Sequence, residues 1–282
     1  MGAVVRATAC ILPNGRLHLQ DGPIDLIVFA EGDVDTAYRA ATTHFATVLD
    51  ALCEELHLLR ASHAPQPRGE IARTMRAAVE PLARYGFITP MAAVAGAVAE
   101  AILAAMTHAA PLTRAAVNNG GDIALHLAPG QQMRIGMVAK PELGTTELFG
   151  RLVIDHKDAA RGLATSGCHG RSFSLGIADA VTVLAHTAAE ADAAATVIAN
   201  AVDLPNHPGI IRRAARDIQP DSDLGDRLVT RDVPPLSPDE IETALARGRR
   251  RAEDLLQDRL IVSAALHLQG VTAIIEREHV HA

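Results

Sequence analysis

The chain has 282 residues, 26 Lys and Arg against 33 Asp and Glu, and a formal net charge of −7. That length can bury a substantial core, as one large domain or two closely packed halves, and the acidic balance argues against a nucleic-acid groove, which needs a basic face. With no Trp, two Tyr and five Phe among 49% hydrophobic residues, packing must come from Leu, Val, Ile and close Ala contacts. Cys10, Cys53 and Cys168 show neither short-range pairing nor metal-type spacing and suit a reducing cytoplasm, the expected location. Arg6 interrupts the only stretch that a signal peptide could use, so none is expected.

In chain order, ACIL (9–12) and RLHLQ (16–20) flank Pro13-Asn14-Gly15 as a hairpin, and IDLIVFA (24–30) supplies a third strand. From Thr36 to Arg60, Ala37, Ala41, Phe45, Val48, Leu52, Leu56 and Leu59 recur at helical spacing, with Asp35 available as a cap. SHAPQPRG (62–69) reads as a loop, and Ile71, Met75, Val79 and Leu82 mark a second amphipathic helix. Thr89-Pro90 starts a third helix, running to about His108 with small residues on nearly every side and Gly96 in its middle. A mid-helix Gly costs about 1 kcal/mol relative to Ala, which close packing against a sheet or ligand would explain. The segment PMAAVAGAVAEAILAAM (90–106) reads as too short and too small to span a bilayer.

Strands follow at 114–119, 122–127, 133–139, 151–155, 162–166 and 180–186, then a helix over 188–201 and an irregular stretch to Pro235. Ser237-Pro238-Asp239-Glu240 is a capping box opening a long helix, and strands at 260–268 and 271–276 surround Gly270. Arg247, Arg249, Arg250 and Arg251, set among Glu and Asp, read as a solvated helix face. Strands gathered around alanine-rich helices without βαβ alternation define the α+β class.

Three stretches have chemistry. NNGGD (118–122) places Gly120 and Gly121 between two strands, where they permit positive φ and bring backbone amides to a ligand; the same residues also make an ordinary hairpin turn. ATSGCHGRS (164–172) offers the hydroxyls of Thr165 and Ser166, open backbone at Gly167 and the guanidinium of Arg171, reading equally as an anion site or a polar loop. Cys168 and His169, adjacent in a strand, would point apart, which weakens a Cys–His nucleophile. Asp192 and Thr196 lie four apart, on one face of a helix, and a carboxylate with a hydroxyl suits a hard cation such as Mg²⁺. By spacing alone the plainer reading makes Asp192 a partner of the helix dipole and Thr196 a small core residue. His279 and His281 lie near the C-terminus, and the other histidines lack zinc spacing.

In this order, PMAAVAGAVAEAI, AAVNNGGDIAL, GLATSGCHGRS and AVTVLAHTAAEADAAATVIANA resemble the ApbE-like superfamily, best known for FAD:protein FMN transferases. The opening LPNGRLHLQDGPIDL looks more like an uncharacterised branch of that superfamily than like the transferases. The resemblance implies a T-fold-like α+β body over 1–282, as one domain or two pseudo-related halves. It implies Mg²⁺ held by Asp192 and Thr196 with a carbonyl from the segment Ala92–Ala95, and a FAD, FMN or nucleotide-type phosphate ligand near Gly120, Gly121, Asp122, Thr165, Ser166, Gly167 and Arg171. Ala95 stands where the transferases carry a Lys, and their His-containing Asp-Pro segment is missing between Arg171 and Asp179. The resemblance therefore implies binding of a small ligand with Mg²⁺, with an FMN transferase or a non-catalytic binding or assembly protein as alternatives, and no assigned catalytic residue. A small molecule is the expected partner, with neither nucleic acid nor membrane, and a homo-oligomer compatible with the alanine-rich helices.

Overall fold

The structure is a computed structural model that describes residues 6–138 and 148–277. Its frame is a nine-stranded sheet in the order β1-β2-β3-β4-β5-β8-β9-β12-β13. The strands are β1 (Thr8–Ile11), β2 (Leu17–Asp21), β3 (Ile24–Gly32), β4 (Leu112–Asn119), β5 (Asp122–Leu127), β8 (Gly162–Ser166), β9 (Ala180–Ala185), β12 (Ser263–Leu268) and β13 (Val271–Glu276). Every neighbouring pair is antiparallel. Alternation of buried and part-exposed positions, as in LHLQD and IDLIVFAEG, sends one set of side chains to each face. The α+β class with antiparallel strands on alanine-rich helices therefore holds.

The helices are α1 (Val34–Glu54), α2 (Leu56–Leu59), α3 (Glu70–Val79), α4 (Val94–Ala109), α5 (Ala188–Ala201), α6 (Ala215–Ile218) and α7 (Pro238–Gln257). Four of them, α1, α4, α5 and α7, lie across one face of this sheet. Helix α4 packs on β4 and β5, α5 on β8 and β9, and α7 on β12 and β13, while α1, α4, α5 and α7 touch in succession. The main buried cluster runs from Leu17 to Ile275 between these layers. On the opposite face the hairpin β6 (Gln132–Val138) and β7 (Leu148–Asp155) covers Leu125 and Leu127 with Met133 and Ile154. Positions 123, 125 and 127 thus face the hairpin, and Asp122 and Ala124 face the helices.

Several boundaries differ from the sequence reading. Asp33, not Asp35, caps α1, its carboxylate accepting from the Thr36 amide at 3.3 Å. The expected single helix to Arg60 breaks at Glu55, whose carboxylate instead accepts from the amides of Arg68 and Gly69. Pro81 and Pro90 each sit in a 3-10 stretch, Glu80–Tyr85 and Pro90–Ala93, so α3 stops at Val79 and α4 begins at Val94. The stretch read as irregular contains α6 and a two-stranded ribbon, β10 (Ile211–Ala214) with β11 (Leu228–Asp232). Pro90–Ala109 is long and apolar enough by length and composition to cross a membrane, but Gly96, Ala97, Val98, Ala99, Ile102 and Met106 are buried in the core. Ala139, His279 and His281 lie outside the described residues.

Candidate functional site

The first turn of α5 is clamped between α4 and β8 by two glycines. A Cβ on Gly96 would lie 2.2 Å from the Ala188 carbonyl oxygen, and one on Gly162 2.1 Å from the Thr187 carbonyl. Only a bare backbone lets the two helices and the strand approach so closely, which accounts for the mid-helix glycine. Thr187 caps α5 through a capping box with Glu190. Glu100 reaches across from α4 and accepts from the Ala189 amide at 2.6 Å, while burial pushes its carboxyl above the usual range.

Asp192 comes in the second turn of α5, past the reach of that helix's own dipole end. Its Oδ2 accepts from the Gly96 amide at 3.0 Å, and the Ala95 amide also bonds it. Both amides belong to the first turn of α4, which has no side-chain cap of its own. Asp192 thus satisfies orphan donors of the neighbouring helix. A carboxylate has about four lone-pair positions, so two amides leave room for a cation. Thr196 follows one turn later on α5, partly exposed.

Asp122 faces the same spot from β5. The pairing of β5 with β8 is confined to Ile123–Leu163 and Ala124–Gly162. Beyond it, Asp122 Oδ1 takes the Thr165 amide at 3.1 Å, bridging the strands where the backbone ladder stops. Burial pushes the Asp122 carboxyl up to about 7. Asp192 is also pushed well up, first by burial and then by the nearby Asp122 charge. Two carboxyls so placed titrate as a unit, because both cannot ionise cheaply without a counter-cation. The donors are hard oxygens, the set that Mg²⁺ takes.

The rest of the site gathers at the same end of β5 and β8. Gly120 and Gly121 both adopt positive φ, and the Gly121 amide is held by Asn118 Oδ1 at 2.8 Å. The Asn119 side-chain amide donates to the Ala95 carbonyl at 3.2 Å, tying this turn to the start of α4. Arg171 comes beside Gly120 and donates to the Pro23 carbonyl at 2.8 Å, its side chain exposed. Alternation along β8 puts Ser166 on the helix face with Ala164. Thr165 contributes its amide rather than its hydroxyl, which pairs with Thr182 at 2.9 Å on the other face. Gly167 lies against Asp179, where a Cβ would be 2.3 Å from the carbonyl oxygen.

Sequence reasoning overlooked three features. Asp122 was expected beside the phosphate ligand as part of the GGD turn, but nothing in its spacing connects it to Asp192, 70 positions away. Cys168 and His169 do not point apart, because the chain leaves β8 and turns, with the Gly170 amide donating to the Gly167 carbonyl at 3.2 Å. His169 Nε2 lies 3.1 Å from Asp179 Oδ1, and Asp179, then Cys168, push the imidazole up to about 10. The arginines of α7 are not a purely solvated face: Arg247, Arg250 and Arg251 line a crevice of about 470 Å³ with Tyr85, Phe87 and Asn200.

Comparison with known proteins gives the family to which this chain belongs. A family model described as "AbpE bacteria" matches residues 9–274. The chain belongs to that family, in agreement with the motifs over 90–202. It is 37% identical over 145 residues to a UPF0280 protein of Methanopyrus kandleri, covering 51% of this chain and 54% of that protein. It is 33% identical over 177 residues to a UPF0280 protein of Methanoregula boonei, covering 60% and 71%. The chain thus spans about half the length of the first of these relatives and more of the second. A solved apo structure of the Pseudomonas stutzeri flavinyl transferase ApbE is similar over 98% of this chain and 96% of that one, with a TM-score of 0.45 and 11% identity.

Proposed function

We propose that this protein binds a flavin- or nucleotide-type phosphate ligand together with Mg²⁺ at the end of β5 and β8. The reading rests on Asp122 and Asp192: two carboxyls from β5 and α5, each bonded to an amide of a neighbouring element and each above its ordinary range, with the Asp122 charge acting on Asp192, an arrangement that a divalent cation relieves. Asp192, Thr196 and Asp122 would hold the ion, which neutralises phosphate charge when bound. The Gly120–Gly121 backbone and the exposed guanidinium of Arg171 would steady the anion. Asp192 also holds the start of α4 in place by accepting from the Gly96 amide.

A second reading, transfer of FMN from FAD to a protein hydroxyl, is supported by the family and by the intact Asp192 and Thr196 pair. Ala95 in place of a Lys, and the short SFSLGIA connection in place of a His-containing segment, count against it. Flavin fluorescence titrations with FAD and FMN, with ADP as competitor, test the binding that both readings require, and an FMN-sized mass gain on a target peptide separates transfer from binding. Saturable binding that needs Mg²⁺ and weakens at least roughly tenfold in Asp122→Asn is expected, from the loss of one charge-assisted contact. Mg²⁺-independent affinity, or no binding of any of the three, would remove the proposal.

A further inference from the structure

Cys168, His169 and Asp179 meet just past the end of β8, on a turn that the ligand reading above does not use. Three backbone features make them converge. The Cys168 amide donates to the Ala178 carbonyl at 2.8 Å, fixing the turn against the chain entering β9. Gly167 presses on the Asp179 backbone more closely than any Cβ would allow. The Asp179 amide in turn donates to the His267 carbonyl at 3.0 Å. The side chain of Asp179 is also oriented: Oδ2 accepts from the Gln269 amide at 2.6 Å, and Oδ1 is turned to His169 Nε2.

One donor atom from each of the three side chains lies within 4.8 Å of the other two. A catalytic relay of thiol, imidazole and carboxylate does not look like this, because the imidazole then stands between the other two and holds them roughly 7 Å apart, given hydrogen bonds of about 3 Å on either side of the ring. Convergence on one point is the geometry of ligands around an ion. The donor set is one thiolate sulfur, one imidazole nitrogen and one carboxylate oxygen, which suits a borderline-soft cation and not Mg²⁺. A thiolate and a carboxylate together neutralise a dication. Asp179 is buried, Cys168 partly so, and His169 is 41% exposed, so one side of the group opens to solvent.

We propose that Cys168, His169 and Asp179 form a three-ligand site for a divalent cation of the Zn²⁺ type, with a fourth position open to water or a small ligand. Filling it replaces protons by metal: the thiol proton and any proton on the imidazole leave to solvent as the Sγ and nitrogen bonds form. The Gln269 amide on Asp179 Oδ2 is the outer hydrogen bond that holds a ligating carboxylate in orientation.

The test uses the full chain with Cys10→Ser and Cys53→Ser, which removes the two other thiols, both exposed and free. Co²⁺ serves as a spectroscopic stand-in for Zn²⁺, because its thiolate charge-transfer band reports sulfur ligation alone. The expected result is one Co²⁺ per chain with that band, displaced by Zn²⁺ and not by Mg²⁺, and lost in Cys168→Ser. His169→Gln, at an exposed position that leaves folding intact by circular dichroism, weakens Co²⁺ at least roughly tenfold, and Asp179→Asn does likewise. Absence of the band in the two-serine protein overturns the proposal. So does an affinity unchanged by His169→Gln, which decides the matter even if Asp179→Asn fails to fold.

Discussion

Replacing Asp122 by Asn separates the cost of the carboxyl pair from its use. Asp122 is 9% exposed, and its carboxyl is held at about 7 instead of 3.8. In the unfolded chain it ionises freely near 4, so between about pH 4 and pH 7 the native state binds more protons than the unfolded state, and stability falls as pH rises. The difference of about three pH units, at about 1.4 kcal/mol each, amounts to an upper bound of about 4 kcal/mol against the folded state above that window. Asn Oδ1 can still accept from the Thr165 amide, but its own amide is a buried polar group, so about half the cost should be recovered. Urea unfolding at about pH 8, without divalent cations, should show Asp122→Asn more stable than the parent by about 2 kcal/mol, with Tm higher by about 5 °C. Below about pH 3 the advantage should vanish, because the parent carboxyl is then largely protonated in both states. Millimolar Mg²⁺ should reverse the order at about pH 8, stabilising the parent through binding to the native state and leaving the variant unmoved. A variant less stable than the parent at every pH would refute the idea that burial holds this carboxyl above its ordinary range.

Gly96→Ala brings a Cβ to 2.2 Å from the Ala188 carbonyl and threatens the Gly96–Asp192 bond, so calorimetry should show a net loss of about 1–3 kcal/mol despite the better helix propensity of Ala. A gain in Tm would mean that α4 and α5 are not in close contact. Arg171→Ala removes an exposed side chain and should leave Tm within about 1 °C while weakening the phosphate-bearing ligand roughly tenfold, measured by the same fluorescence titration. Incubation with FAD, Mg²⁺ and a flavin-transferase target peptide should give little or no FMN-sized mass gain, since loss of a positioned acid–base group removes roughly 10²–10⁴ in rate. A gain that disappears in Asp192→Ala would restore the transferase reading.

The sequence determined what depends on near neighbours. Periodicity and turn residues placed α1, β2, β3, the β4–β5 hairpin and β9, and the box at Ser237 placed the start of α7, because capping and alternation are settled within a few residues. The order of four stretches was enough to indicate the family, and the four-residue step put Asp192 and Thr196 on one side of α5. Tertiary structure decided the rest. The break at Glu55 comes from its bonds to Arg68 and Gly69, and the reassignment of Asp192 to the amides of another helix spans 96 positions. Asp122 takes the Thr165 amide because the ladder of β5 with β8 ends early, and it comes near Asp192 because α5 packs against β5. Cys168, His169 and Asp179 converge because a turn, rather than a strand, follows Gly167, and a glycine there can lie flat on the next strand's backbone. Local patterns carry a few residues of information, whereas these contacts depend on which strands the packed helices bring side by side.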